Sequence, residues 1–163
     1  MTRDNAREIA VHMVFELGFG GRSADELLEE ELTRSRFAQL GEEHSLYARF
    51  PNEKQAQYIR ALVRGTCAHV PELDDYISRY AVGWKFERIP RMAAAIMRTA
   101  MYEVLYMPDV PNAAAINSAV EIAKSYEPPE VVSFLNGILG SFVRAEFQDT
   151  PPRPEKPAEE AEG

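Results

Sequence analysis

Apolar residues in this chain recur at intervals of three and four, and β-branched runs alternating with polar residues are absent, so the pattern predicts helices rather than strands. Prolines, glycines and capping residues divide it into about seven segments. The first runs from about Asp4 to Leu17, with Ala6, Ile9, Ala10, Met13 and Leu17 on one face and the breakers Gly18, Gly20 and Gly21 behind it. Ser23 and Glu26 stand at capping-box spacing and open a second helix through Leu27, Leu28 and Leu32 to about Phe37. A polar, irregular stretch follows from about Gln39 to Pro51. Asn52 to Gln55 repeats the capping logic and starts a third helix reaching about Val70. Pro71 suits the first turn of a fourth helix, ending near Tyr80 after a tight corner.

From Pro90 to Met107 the chain is apolar on nearly every side, the mark of a central buried helix. Pro108 and Pro111 end it, and Asn112 to Tyr126 and Pro129 to about Phe147 supply the sixth and seventh helices. Met101, Val104, Ile116, Val120, Leu135 and Ile138 are expected to pack together as the core of these last three segments. The fold class expected is therefore all-α, a single domain over 1–147. The segment 148–163, with Thr150-Pro151-Pro152-Arg153-Pro154, lacks apolar anchors and reads as a disordered acidic tail.

Composition narrows the function classes. With 163 residues and 45% hydrophobic content, the chain can bury one core comfortably. No apolar run reaches the roughly 20 residues of a membrane helix, and the start lacks the apolar stretch of a secretory signal, so the expectation is a cytoplasmic protein without a membrane. The net charge is −8; from Asp149 onward five acids face two bases, which leaves −5 on the remainder. An acidic body binds RNA only by gathering its basic groups on one face. The single cysteine, Cys67, lies in the apolar pattern of the third helix and reads as a buried, inert thiol.

Catalytic constellations are hard to find. His12, His44 and His69 lie far apart in sequence with no paired-ligand spacing, and one cysteine cannot make a structural zinc site, so no metal is expected. Gly20-Gly21 has neither the strand nor the Lys-Ser/Thr of a phosphate loop, and no cofactor site can be argued. The acidic runs Glu29-Glu30-Glu31 and Glu42-Glu43 fan around a helix instead of converging, as a solvated face does. Asn136-Gly137 is odder, because glycine inside a helix costs about 1 kcal/mol relative to alanine. A close helix crossing is the expected reason.

Several motifs carry a resemblance. Ile96-Met97-Arg98-x-Ala100-x-Tyr102-Glu103-Val104 is followed by Val110-Pro111, then Ile116-Asn117-x-Ala119-Val120-Glu121-Ile122-Ala123-Lys124-x-Tyr126, then Phe134-Leu135-Asn136-Gly137-Ile138-Leu139. Ala6-Arg7-Glu8-x-Ala10-Val11, Phe15, Leu73-Asp74, and Trp84 with Arg88-Ile89-Pro90 extend the match over nearly the whole folded chain, the stretch from Gly18 to Pro51 excepted. In this order and spacing the motifs resemble the NusB family of transcription antitermination factors.

The resemblance implies a seven-helix domain that is not an enzyme. It would pair with a NusE-like ribosomal protein of the small subunit, grip the single-stranded boxA element of ribosomal RNA leaders, and let RNA polymerase read through terminators. By position, Arg3, Arg7, Lys124 and Tyr126 would serve RNA binding, and Glu130, Phe134 and Asn136 partner binding. The family's arginine-rich start is thinned here to Arg3 and Arg7. Its charged pair near the start of the fifth helix is replaced by Ala93-Ala94, and Ala113 and Ser118 also depart from its usual residues. The thinned arginines and the acidic body keep a second reading open, a protein scaffold with weakened RNA binding; the resemblance also extends to the NusB-like domains of some ribosomal RNA methyltransferases, so a NusB-like domain separated from such an enzyme is a third.

Overall fold

A computed structural model describes residues 1–147; the tail expected over 148–163 lies outside the described residues. Among the described residues the chain forms eight α-helices and two short 3-10 turns, with no strand, which agrees with the all-α expectation. They fall into two compact units, residues 1–67 and those from 68 onward.

The first unit opens with α1 (Arg3–Leu17), capped by Thr2, whose hydroxyl accepts the Asn5 N–H at 3.0 Å. Helix α2 (Ala24–Glu31) begins at the expected capping box, with Ser23 and Glu26 each accepting the other's backbone N–H. The chain then departs from expectation. One helix was expected to reach Phe37, but the backbone leaves helical geometry at Leu32 (φ −92, ψ 61), and Thr33 turns extended. The Thr33 hydroxyl accepts the Arg36 N–H at 3.2 Å and starts a new helix, α3 (Arg34–Gly41). Thr33 acts because a β-branched hydroxyl residue competes with the helix for the backbone N–H groups downstream of it.

The stretch expected to be irregular is partly ordered, with the end of α3 and a 3-10 turn, Ser45–Tyr47, whose Tyr47 is buried. In α4 (Glu53–Ala68), Asn52 Oδ1 accepts the Gln55 N–H at 2.8 Å and Gln55 Oε1 accepts the Asn52 N–H at 2.9 Å. This is the reciprocal cap read from the sequence. Ile9, Ala10, Leu27, Phe37, Ile59, Leu62 and Val63 are almost wholly buried. Cys67, expected to be buried, is half-buried at the last turn of α4.

The second unit packs α5 (Val70–Tyr80), α6 (Arg91–Tyr106), α7 (Asn112–Tyr126) and α8 (Pro129–Phe147), with α6 against each of the other three. Helix α6 buries ten of its residues, from Ala93 to Val104, as its pattern required. Arg98 on α6 grips Asp74 on α5 through two bonds of 2.6 and 3.1 Å in a partly buried setting, where a bidentate geometry stabilises more than a surface pair. On α8, Glu146 accepts from Arg79 and from the Tyr80 hydroxyl of α5. Leu135, Ile138, Met101 and Val104 are buried as expected.

Ile116 and Val120 are not. They are half-buried, and α7 turns Ala115, Ser118, Ala119, Ile122 and Ala123 inward instead. Small residues make up most of that inward face, with Ile122 beside them, while Ile116 and Val120 sit at its margin.

Candidate nucleic-acid interface

Two regions hold the side chains singled out from the sequence, one in each unit. At the start of α1, Arg3 is half-buried, with its guanidinium 4.4 Å above the centre of the Tyr58 ring. A cation over a tyrosine face is held in place while its outward side still meets solvent. Arg7, one turn later, is 2% exposed, pairs with Asp4 at 2.8 Å and lies 6.0 Å from the same ring. A guanidinium so enclosed has no open side for a phosphate. Its observed contacts tie down the first turn of α1, and with it Arg3. The Gln55 amide donates to the Met1 carbonyl at 2.5 Å and fixes the chain just before this turn.

In the second unit, Lys124 is exposed in the last turn of α7 and pairs with Glu121 at 2.9 Å across one helical turn. Tyr126 ends that helix, half-buried. Burial raises the carboxyl pKa of the neighbouring Glu127 above its ordinary value. Helix α8 then displays Glu130, Ser133, Asn136 and Gly137 on an exposed face, with Phe134 half-buried beside them. The Phe134 ring stacks on Trp84 at 4.2 Å between centroids and 30° between planes. Trp84 keeps 41% of its surface exposed, unusual for the largest apolar side chain.

Trp84 is carried on the turn between α5 and the 3-10 segment Phe86–Arg88. The preceding Gly83 has φ +83, a left-handed conformation that L residues resist, and it swings the chain so that the indole meets Phe134. Trp84 was not among the site residues read from the sequence. The pair is separated by 50 positions and no local pattern announces the stack, although both residues stand in the motifs that carry the family resemblance and a glycine precedes the tryptophan in a polar turn. The structure thus brings Phe134 to Trp84, and Arg3 and Arg7 to Tyr58.

The close crossing expected at Gly137 is absent: a Cβ there would meet nothing within 4 Å. The glycine leaves bare backbone on the open face of α8, beside Asn136 and one turn from Phe134.

A second expectation also changes. His12 and His44, distant in sequence, have ring centroids 5.8 Å apart, because the loop after α3 returns to α1. Burial lowers the His12 pKa, the Glu8 carboxylate opposing that effect.

A model of the NusB family matches residues 4–144. The chain belongs to the NusB family. Among its NusB relatives, the transcription antitermination protein NusB of Symbiobacterium thermophilum is 36% identical over 144 residues, spanning 88% of this chain and 90% of that protein. The solved structure of T. maritima NusB superposes with a TM-score of 0.73 at 27% identity, covering 88% of this chain and 92% of that one. The NusB fold recurs, at a TM-score of 0.70 and 20% identity, in a crystal structure of antitermination factors NusB and NusE in complex with double-stranded RNA, covering 88% of this chain and 96% of that one. The family read from the motifs is therefore the family found, and the NusB match runs through both units.

Proposed function

We propose that this protein is a transcription antitermination factor that binds boxA-type single-stranded RNA of ribosomal RNA leaders together with a NusE-like small-subunit ribosomal protein, and so promotes read-through by RNA polymerase. The observation that carries this reading is membership of the NusB family over residues 4–144, with a relative named as an antitermination protein covered over 90% of its length. No bond is made or broken in such a role. The protein works by binding, on nascent RNA in the cytoplasm, and among the described residues no helix is long and apolar enough to cross a membrane. We take 1–147 as the working domain and 148–163 as an acidic appendage to it.

The chemistry on each unit suits unstacked RNA. The exposed face of Trp84, backed by Phe134, offers a base a flat surface to stack on, and such contacts tolerate any base because every base has a π-face. Glu130 and Asn136 offer acceptors and donors beside that platform, and Gly137, with no side chain, leaves room for RNA or partner to approach the helix closely. Arg3, held over Tyr58, and Lys124 supply phosphate contacts, Tyr126 lies near the latter, and Arg7 holds the turn that carries Arg3.

A second reading, a protein scaffold with weakened RNA binding, is favoured by one observation: of the three cations that the family resemblance assigned to RNA, Arg7 is enclosed and paired with Asp4, and Lys124 is paired with Glu121. The experiment that separates the readings is fluorescence anisotropy of labelled boxA RNA with the protein alone, with a NusE-like partner alone, and with both. The antitermination reading expects a ternary complex tighter than either binary one. A partner complex that forms without gaining affinity for RNA supports the scaffold instead.

A further inference from the structure

Within the first unit, two histidines from distant parts of the chain and a carboxylate converge on one point. Glu8 and His12 are four residues apart on α1 and so share a face, and His44 arrives from the loop after α3. One potential ligand atom from each lies within 4.8 Å of the other two. His12 Nε2 is 3.9 Å from Glu8 Oε2, and His12 Nδ1 is 2.7 Å from the hydroxyl of the buried Tyr47. We propose that Glu8, His12 and His44 form a binding site for a zinc ion, with Tyr47 as the outer partner that fixes the His12 ring.

Two imidazoles and one carboxylate are a donor set that zinc takes, with water completing the tetrahedron. Bonds of about 2.1 Å around zinc put ligand atoms about 3.4 Å apart, so the three groups close in by roughly an ångström on binding. Two features permit this. His44 is exposed, and Glu8 is a flexible side chain with part of its surface in water. His44 now accepts the Leu46 N–H at 3.2 Å, and turning toward the ion exchanges that exposed bond for a metal bond. With zinc on Nε2, His12 carries its remaining proton on Nδ1 and donates it to the Tyr47 hydroxyl, the arrangement that orients a metal-bound imidazole. Burial shifts the Tyr47 pKa up and the His12 pKa down, the Glu8 carboxylate opposing the latter. The ion would tie α1 to the segment between α3 and α4, in a chain whose first turn also carries Arg3.

The test is isothermal titration of the tag-free, chelator-treated full chain with zinc chloride, alongside the absorption spectrum of the cobalt-substituted protein. The expected result is one saturable zinc per chain, tetrahedral cobalt bands, a Tm that rises with zinc, and no response to magnesium. His44→Ala, at an exposed position, is expected to keep the circular dichroism of the wild type and lose at least about ten-fold in zinc affinity. Tyr47→Phe keeps the ring and is expected to weaken zinc by about 10-fold to 100-fold. No saturable binding, binding unchanged in His44→Ala, or binding abolished by Cys67→Ser overturns the site. The outcome is independent of RNA affinity, so it stands or falls apart from the antitermination reading.

Discussion

Leu135→Ala measures how the second unit is held together. Leu135 is wholly buried on α8, in the helix that packs on α5, α6 and α7. The substitution removes three carbons, worth roughly 2.4 kcal/mol of transfer at about 0.8 kcal/mol each. The cavity left among close-packed helices brings the expected loss to about 2 to 5 kcal/mol. Ile116→Ala on α7 removes the same number of carbons from a half-buried site and leaves no closed cavity, so its expected cost is about 1 kcal/mol. Urea unfolding followed by far-ultraviolet circular dichroism, with the slope held common to both variants, gives the comparison. In a chain of this size, a loss near 3 kcal/mol corresponds to a Tm drop of about 6 to 12 °C. A Leu135→Ala cost below about 0.5 kcal/mol, or an Ile116→Ala cost equal to it, would refute the assignment of inner and flanking faces.

Three further outcomes are expected. Ser23→Ala removes one half of the capping box that starts α2 and should cost about 1 kcal/mol in the same unfolding assay, with Ser23→Gly costing only a few tenths. Trp84→Ala should leave the circular dichroism unchanged and weaken boxA RNA by about 1 to 3 kcal/mol, the worth of one stacked base; unchanged affinity would remove the platform from the interface. Glu130→Arg, on the open face of α8, should alter assembly with RNA or the NusE-like partner without loss of fold, and a well-folded variant that binds both normally would take Glu130 out of the site.

Much of the architecture was legible because its signals are local. Ser23 with Glu26, and Asn52 with Gln55, announce helix starts through hydrogen bonds spanning three residues, and Pro90, Pro111 and Pro129 mark where later helices begin. What escaped was set by tertiary packing. The break at Thr33 interrupts an apolar period that read as one helix. On α7, more than one face is apolar and periodic, and only packing against α6 and α8 decides which turns inward. Arg7 was counted as a surface cation, as arginine usually is, yet its side chain is buried and only its partner Asp4 is exposed. The stack of Trp84 on Phe134 and the meeting of His12 with His44 join positions far apart along the chain, which no spacing rule reaches.

That this NusB family member grips single-stranded RNA through a few cations can be read from a salt titration. Anisotropy of boxA RNA is measured with wild type and Arg3→Ala, each with and without the NusE-like partner. Two to four phosphate contacts at about −0.7 each predict a wild-type slope of log affinity against log salt of about −1.4 to −2.8 from this protein. Arg3→Ala should flatten it by about 0.7, and Arg7→Ala should act in the same direction by releasing the turn that holds Arg3. Wild-type protein that shows no salt-dependent RNA binding, alone or with the partner, contradicts the claim and leaves the scaffold reading in its place.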